Sequence, residues 1–172
     1  MPVEPKFVKE LNADLFQPEE VDRFGDPKEA RKKAMDYLAR REYGFDELVK
    51  KLVTAGFYAD VAADAVLVLR SDGLQSDERF TSNFVQSRIS QGKGPVRIRQ
   101  ELKERGIRPE IGGVAIEDAD ADWYVLAIDI RVRKFGSDLP VDFKEKARQM
   151  RFLQYRGFEQ DHIQTAITNT SP

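Results

Sequence analysis

Leu52-Val53-Thr54-Ala55-Gly56-Phe57, Leu102-Lys103-Glu104-Arg105-Gly106-Ile107 and Leu153-Gln154-Tyr155-Arg156-Gly157-Phe158 share one form, Leu-x3-Gly-apolar. Gly56 and Gly106 stand 50 residues apart, and Gly106 and Gly157 stand 51 apart. The register holds downstream. Asp60, Glu110 and Asp161 follow four residues after the glycine, Ala65, Ala115 and Ala166 nine, and Val66, Ile116 and Ile167 ten. A glycine just past an apolar-periodic run is the expected left-handed helix stop. An acid in the next first turn complements the positive end of the helix that follows. Three copies in register predict three tandem repeats, each stacking on its neighbour to finish burying its apolar surface.

Around these anchors the apolar spacing is helical, Gly or Pro punctuates it every ten to fifteen residues, and strand signals are almost absent. Asp26-Pro27-Lys28-Glu29 reads as a helix start, with Asp26 as N-cap, Pro27 in the first turn and Glu29 at the capping-box position. Ala30, Ala34, Tyr37, Leu38 and Arg41 then trace one face. After Gly44, Phe45, Leu48 and Leu52 continue in a second helix, and a third runs from about Asp60 to Arg70, burying Val61, Ala65 and Val68 or Leu69. The expected fold is all-α: three tandem three-helix repeats forming an elongated, curved helical array. The expected units are a polar, mobile tail over 1–25 and repeats over 26–75, 76–119 and 120–172.

Of the 172 residues, 41% are apolar and 34% charged, and there is no cysteine and a single histidine, His162. Disulfide scaffolds, thiolate metal sites and the usual zinc constellations are thereby excluded. The first residues lack the apolar core of a signal peptide, no run approaches a membrane span, and a cytoplasmic location is expected. The net charge of -2 hides strong blocks. Residues 1–29 hold eight acids against four bases, 79–108 eight bases against two acids, 110–129 six acids and no base, and 131–156 eight bases against three acids. Such blocks create local fields that a whole-chain sum conceals.

Residues across nearly the whole chain, from about 28 to 168, resemble the RecX family. Tyr37-Leu-Ala-Arg40-Arg41-Glu42 with Glu47-Leu48, Lys51-Leu52 and Gly56-Phe57 looks like its first repeat. The most specific part, Gly73-Leu74 with Asp77, Arg79-Phe80, Phe84-Val85, Arg88 and Gly92-Lys-Gly94-Pro95-Val-Arg97-Ile98, ending at Gly106-Ile107, is similar to the second. Lys146-Ala-Arg148-Gln-Met-Arg151-Phe152-Leu153 through Gly157-Phe158 is similar to the third. Gly44 departs from the serine usual in the family, and glycine is still a fair N-cap. The resemblance implies a regulator that binds the groove of the RecA–DNA filament and inhibits its ATPase, strand-exchange and coprotease activities in recombination, DNA repair and the SOS response. A monomer with no cofactor and no enzymatic activity is expected.

The residues themselves support binding rather than chemistry. Gly92-Lys93-Gly94-Pro95 lacks the Walker pattern and reads as a helix–helix turn with Gly94 as N-cap. Arg99 and Lys103 form a strip of like charge, as do Lys144, Arg148 and Arg151, whereas Arg97, Glu101 and Arg105 compensate one another. Arg88, Lys93, Arg97, Arg99, Lys103, Lys144, Arg148, Arg151 and Arg156 are the candidate contacts to an acidic protein surface or to phosphates of single- or double-stranded DNA. The alternative for each strip is a solvated helix face, and the alternative function is direct DNA binding. Phe80, Phe84, Phe152 and Phe158 match core spacing better than base stacking, and His162 falls at the packing position of Val61 and Ile111. Trp123 and Tyr124 are expected to open the seventh helix with one ring packed inward. No acid pair comes with a convergent base or nucleophile, so an active site finds no support.

Overall fold

The computed structural model describes residues 22–169. The expectations for residues 1–21 and 170–172 lie outside that range. All regular structure among the described residues is helical. The helices are α1 (Pro27–Leu38), α2 (Phe45–Thr54), α3 (Ala59–Ser71), α4 (Asp77–Ser90), α5 (Pro95–Glu104), α6 (Pro109–Asp118), α7 (Trp123–Phe135), α8 (Phe143–Arg156) and α9 (Gln160–Thr168). Side-chain oxygens satisfy the first amides of several of them. Asp26 accepts from the Lys28 N–H at 2.8 Å, Ser76 from Arg79 at 3.2 Å, Asp122 from Val125 at 3.0 Å and Asp142 from Glu145 at 2.7 Å. Glu29 does not close a capping box over Asp26: the Asp26 N–H donates to the Arg23 carbonyl at 3.4 Å, and the Asp26 side chain accepts from the Lys28 amide. The reciprocal box occurs at α9, where the Glu159 N–H donates to His162 Nδ1 at 3.2 Å. Among the described residues no helix is long and apolar enough to cross a membrane.

The helices pack in threes, and within each three the first lies mainly on the third. Three separate cores result: one around Ala34, Leu48, Leu52 and Leu69, one around Phe84, Val85, Ile98 and Leu102, and one around Ala127, Leu153, Phe158 and Ile163. The recurring hexapeptide closes the second helix of every repeat. The N–H of Phe57, Ile107 and Phe158 donates to the carbonyl of Leu52, Leu102 and Leu153 at 3.1, 3.1 and 3.2 Å. The intervening glycine sits at φ +108, +74 and +89. This is the six-to-one closure of a Schellman turn, which requires a left-handed residue and brings the flanking apolar pair together. Leu52, Leu102 and Leu153 are accordingly buried. In α3, Ala65 and Leu69 are buried as expected, Val68 points out, and Val61 is only half-buried.

Consecutive repeats meet turn against turn. The Gly94 N–H donates to the Arg156 carbonyl at 2.8 Å and the Val96 N–H to the Gly157 carbonyl at 3.0 Å. A Cβ on Gly94 would run into the backbone of Gly157 and Phe158. One repeat earlier, Gly44 faces Phe80 and Ile107. Buried Gln75 and Asp77 complete that junction, donating to the Tyr43 carbonyl at 3.1 Å and accepting from the Phe45 N–H at 2.8 Å respectively.

Among the described residues no repeat precedes repeat 1, and a 3-10 turn over Arg23–Gly25 takes that place. Phe24 lies over Gly56 and edge-on to Phe57 at 5.9 Å between ring centroids, and its carbonyl accepts from the Tyr58 N–H at 3.2 Å. Residues 22–25, expected to lie in the mobile tail, therefore pack on the first repeat. Asp22 fixes the turn by accepting from the Phe24 N–H at 3.1 Å.

Two substitutions check this packing in urea denaturation. Phe24→Ala should cost about 1 kcal/mol, since the ring is 42% exposed and loses only part of a full burial. Gly94→Ala should cost roughly 2 kcal/mol through forced separation of the two backbones. Its control, Gly113→Ala in open space on α6, should be neutral or stabilising by up to about 1 kcal/mol.

Candidate binding surface

The nine candidate bases divide by what their side chains meet. Arg88, Lys93 and Arg97 converge on one carboxylate, Glu101, at 2.7, 2.7 and 3.1 Å. Helical geometry explains the convergence: Arg97 lies one turn before Glu101 on α5, Arg88 ends α4, and Lys93 hangs from the turn between them. Burial alone would raise the Glu101 carboxyl, but hydrogen bonds from Lys93, Arg88 and Arg97 outweigh it and hold it at about 2. Arg88 and Arg105 also stack over the Phe84 ring, at 4.0 and 4.7 Å. Arg105 donates to the Glu101 backbone carbonyl at 3.0 Å rather than to the carboxylate expected from the strip.

A second group ties repeat 2 to repeat 3. Arg97 Nη1 reaches the Tyr155 carbonyl at 3.3 Å, Arg156 Nη1 reaches the Gln91 carbonyl at 2.8 Å, and Arg99 pairs with Glu159 at 3.0 Å. Arg148 pairs with Glu145 at 3.4 Å and lies over Phe135 at 4.9 Å. The strip Lys144, Arg148, Arg151 is therefore not free of acids, since Glu145 sits one turn from Arg148. Lys103, Lys144 and Arg151 are exposed and form no ion pair with any described residue. They are the candidates whose charge is left for a partner.

Glu159, Asp161 and His162 bring three ligand-type atoms within 4.8 Å of one another. Each is already engaged. Glu159 holds Arg99, Asp161 accepts from the Tyr124 hydroxyl at 2.9 Å, and His162 caps α9. The positive end of α9 further opposes a cation there. His162 is buried against Tyr124 and Phe158, as its repeat position implied.

Residues 76–112 match the second three-helix domain of RecX, and residues 120–167 match the third. The regulatory protein RecX of Halorhodospira halophila is 40% identical over 136 residues, covering 79% of this chain and 84% of that protein. This chain belongs to the RecX family. The regulatory protein RecX of Pseudomonas savastanoi pv. phaseolicola is similar at 42% identity over 137 residues, 80% of this chain and 88% of the relative. The crystal structure of RecX from Lactobacillus salivarius shares the fold, with a TM-score of 0.69 at 20% identity over 83% of this chain and 94% of that one. A second RecX crystal structure has a TM-score of 0.73 at 18% identity, covering 98% and 80%.

Two features of this RecX-family chain escaped sequence reading. Arg131 is fully buried on α7 without a carboxylate, and its guanidinium donates to the carbonyls of Asp138 at 3.0 Å and Gly136 and Ser137 at 3.4 Å. Burial lowers its pKa from the ordinary arginine value. Glu101 looked like one member of a surface strip, because the sequence does not show that Arg88 and Lys93 arrive from another element.

The Glu101 cluster gives a pH signature. Its folded carboxyl lies below the ordinary value of 4.5, so the stabilisation is complete above about 4.5 and is lost as pH falls through about 2. At 12% side-chain exposure the shift corresponds to about 3 kcal/mol. Glu101→Gln should lose on the order of 3 kcal/mol at neutral pH, and its deficit should shrink steadily between pH 4.5 and 2 in urea titrations.

Proposed function

We propose that this chain binds the RecA–DNA filament and restrains its ATPase, strand-exchange and coprotease activities, working in the cytoplasm as a monomeric regulator without catalysis. The observation that carries the reading is a helical array whose repeats are fastened by buried turns, with unpaired cations left on repeats 2 and 3. The relatives are named regulatory proteins, and no described cavity joins a base, a nucleophile and an anion cradle. On this reading three units, 22–75, 76–119 and 120–169, act as one body. Several weak contacts on one stiff body gain from effective concentration, and a filament offers the same protomer surface repeatedly. Inhibition then follows from holding neighbouring protomers in one geometry.

Direct DNA binding through phosphate contacts is the second reading, supported by the same exposed Lys103, Lys144 and Arg151. The two differ in salt dependence and in target. Phosphate binding loses affinity steeply as counterions compete, whereas a filament regulator should prefer recombinase-coated over bare DNA at about 150 mM salt.

The variant Lys103→Glu/Lys144→Glu/Arg151→Glu breaks no ion pair, so its stability should stay within about 0.5 kcal/mol per site of the parent. Its half-inhibitory concentration against recombinase ATPase should rise tenfold or more at low salt, with the gap narrowing as salt increases. Inhibition equal to the parent across the salt series would place the contact elsewhere.

A further inference from the structure

The turn between α7 and α8 differs from its counterparts in what covers it. In repeat 1 the turn before the second helix is packed under Phe80 and Ile107, and in repeat 2 it is packed under Gly157 and Phe158. After α9 there is no described repeat to cover the third. That turn presents Val141 at 91% and Phe143 at 87% exposure, the two most exposed large apolar side chains described. Beside them a groove of about 750 Å³ runs between α8 and α9. Leu139, Phe143, Met150 and Ile167 give it an apolar lining, Lys146 and Arg151 stand on it, and no acid lines it. Of the acids close by in the chain, Glu145 is already bonded to Arg148 and Gln149, Asp142 caps α8 at the Glu145 N–H, and Asp138 is exposed beside Leu139.

We infer that this turn and groove dock an apolar side chain carried on an acidic protein surface, which covers repeat 3 as a following repeat covers repeats 1 and 2. The inference rests on the filament reading and names the recombinase protomer, rather than the DNA, as what meets repeat 3. Contiguous apolar surface rimmed by charge marks a protein contact. Apolar Leu139, Val141 and Met150 offer phosphates nothing, while Lys146 and Arg151 on the groove itself match acids flanking a buried anchor. The loop is held for this purpose from beneath, since Arg131 fixes the carbonyls of residues 136–138.

The test uses the full chain with Val141→Ser/Phe143→Ser, and with Phe143→Leu as the conservative control. Fluorescence anisotropy measures affinity for a RecA-type recombinase filament on single-stranded DNA and for the same bare DNA at ~150 mM salt. The double variant should melt with the parent, bind the filament at least tenfold more weakly and bind bare DNA unchanged. Phe143→Leu should remain within about threefold of the parent, because it keeps an apolar anchor. Filament affinity equal to the parent overturns the docking point. An equal loss on bare DNA also overturns it, assigning Phe143 to base stacking. Self-association of the parent in sedimentation that the double variant abolishes gives the groove to a second copy instead, and overturns it too. A parent that does not prefer filament to bare DNA overturns the filament reading itself.

Discussion

The meeting of Gly94 with the backbone of Gly157 is the contact on which the arrangement of the array depends. Two turns approach until amide and carbonyl bond directly, which is possible only where neither presents a Cβ to the other. Gly157 serves twice. Its positive φ closes α8 on Leu153, and its bare α-carbon lets Arg97 of the previous repeat lie against it. Closure of a helix and docking of a repeat are thus one event. A repeat that failed to form its Schellman turn would also lose the surface its neighbour needs, so local and inter-repeat order are coupled.

Electrostatics reinforces the same junction. The Lys93–Gly94 turn carries one of the three cations that converge on Glu101, and another, Arg97, continues to the Tyr155 carbonyl. A carboxylate at 12% exposure with three charged donors is well compensated, and it fixes the turn that repeat 3 docks upon. The consequence for binding is a division of labour within one basic block. Arg88, Lys93 and Arg97 spend their charge inward, and Arg99 and Arg156 spend theirs across the junction. Only the bases beyond reach of an acid remain to attract a partner. Counting bases in a sequence overstates the charge available to a ligand for this reason.

How much of this was legible in the sequence follows from what each signal depends on. Leu-x3-Gly-apolar is a local device, made by one turn and its flanking pair, so three helical repeats are legible in the sequence alone. The N-caps Asp26 and Gly94 were legible for the same reason. The Glu101 cluster was not, because Arg88 and Lys93 lie thirteen and eight residues away and meet it only after α4 folds back on α5. Phe24 was missed because an aromatic in an acidic, proline-flanked stretch gives no period, and its partner Gly56 had already been explained as a helix stop. Of the candidate site, the bases were found, but their partners decide which of them are free, and partners are a property of the fold.

The two ends of the described array show how a repeat is finished where no described neighbour covers it. At the first end the vacancy over Gly56 is filled from the chain itself, by Phe24, and the apolar surface is closed. At the other end the solution is different. Each first helix carries two fully buried residues four apart: Ala30 and Ala34, Thr81 and Val85, Ala127 and Arg131. The second helices place Leu48, Ile98 and Gln149 at matching positions. Repeat 3 thus holds polar side chains at two positions that are small or aliphatic elsewhere. It also carries Glu145 in the register of Gly44 and Gly94, where a side chain forbids the close turn-on-turn approach. Arg131 turns its guanidinium to the carbonyls of a loop that no further described repeat satisfies, and α8 starts three residues earlier than the register of α2 and α5. These substitutions end the stacking rule, yet they leave Val141 and Phe143 in water. A repeat face that only needed to be soluble would carry polar residues there. Apolar residues on a loop anchored from below cost solubility without serving the fold, and a partner surface is the economical reason to keep them.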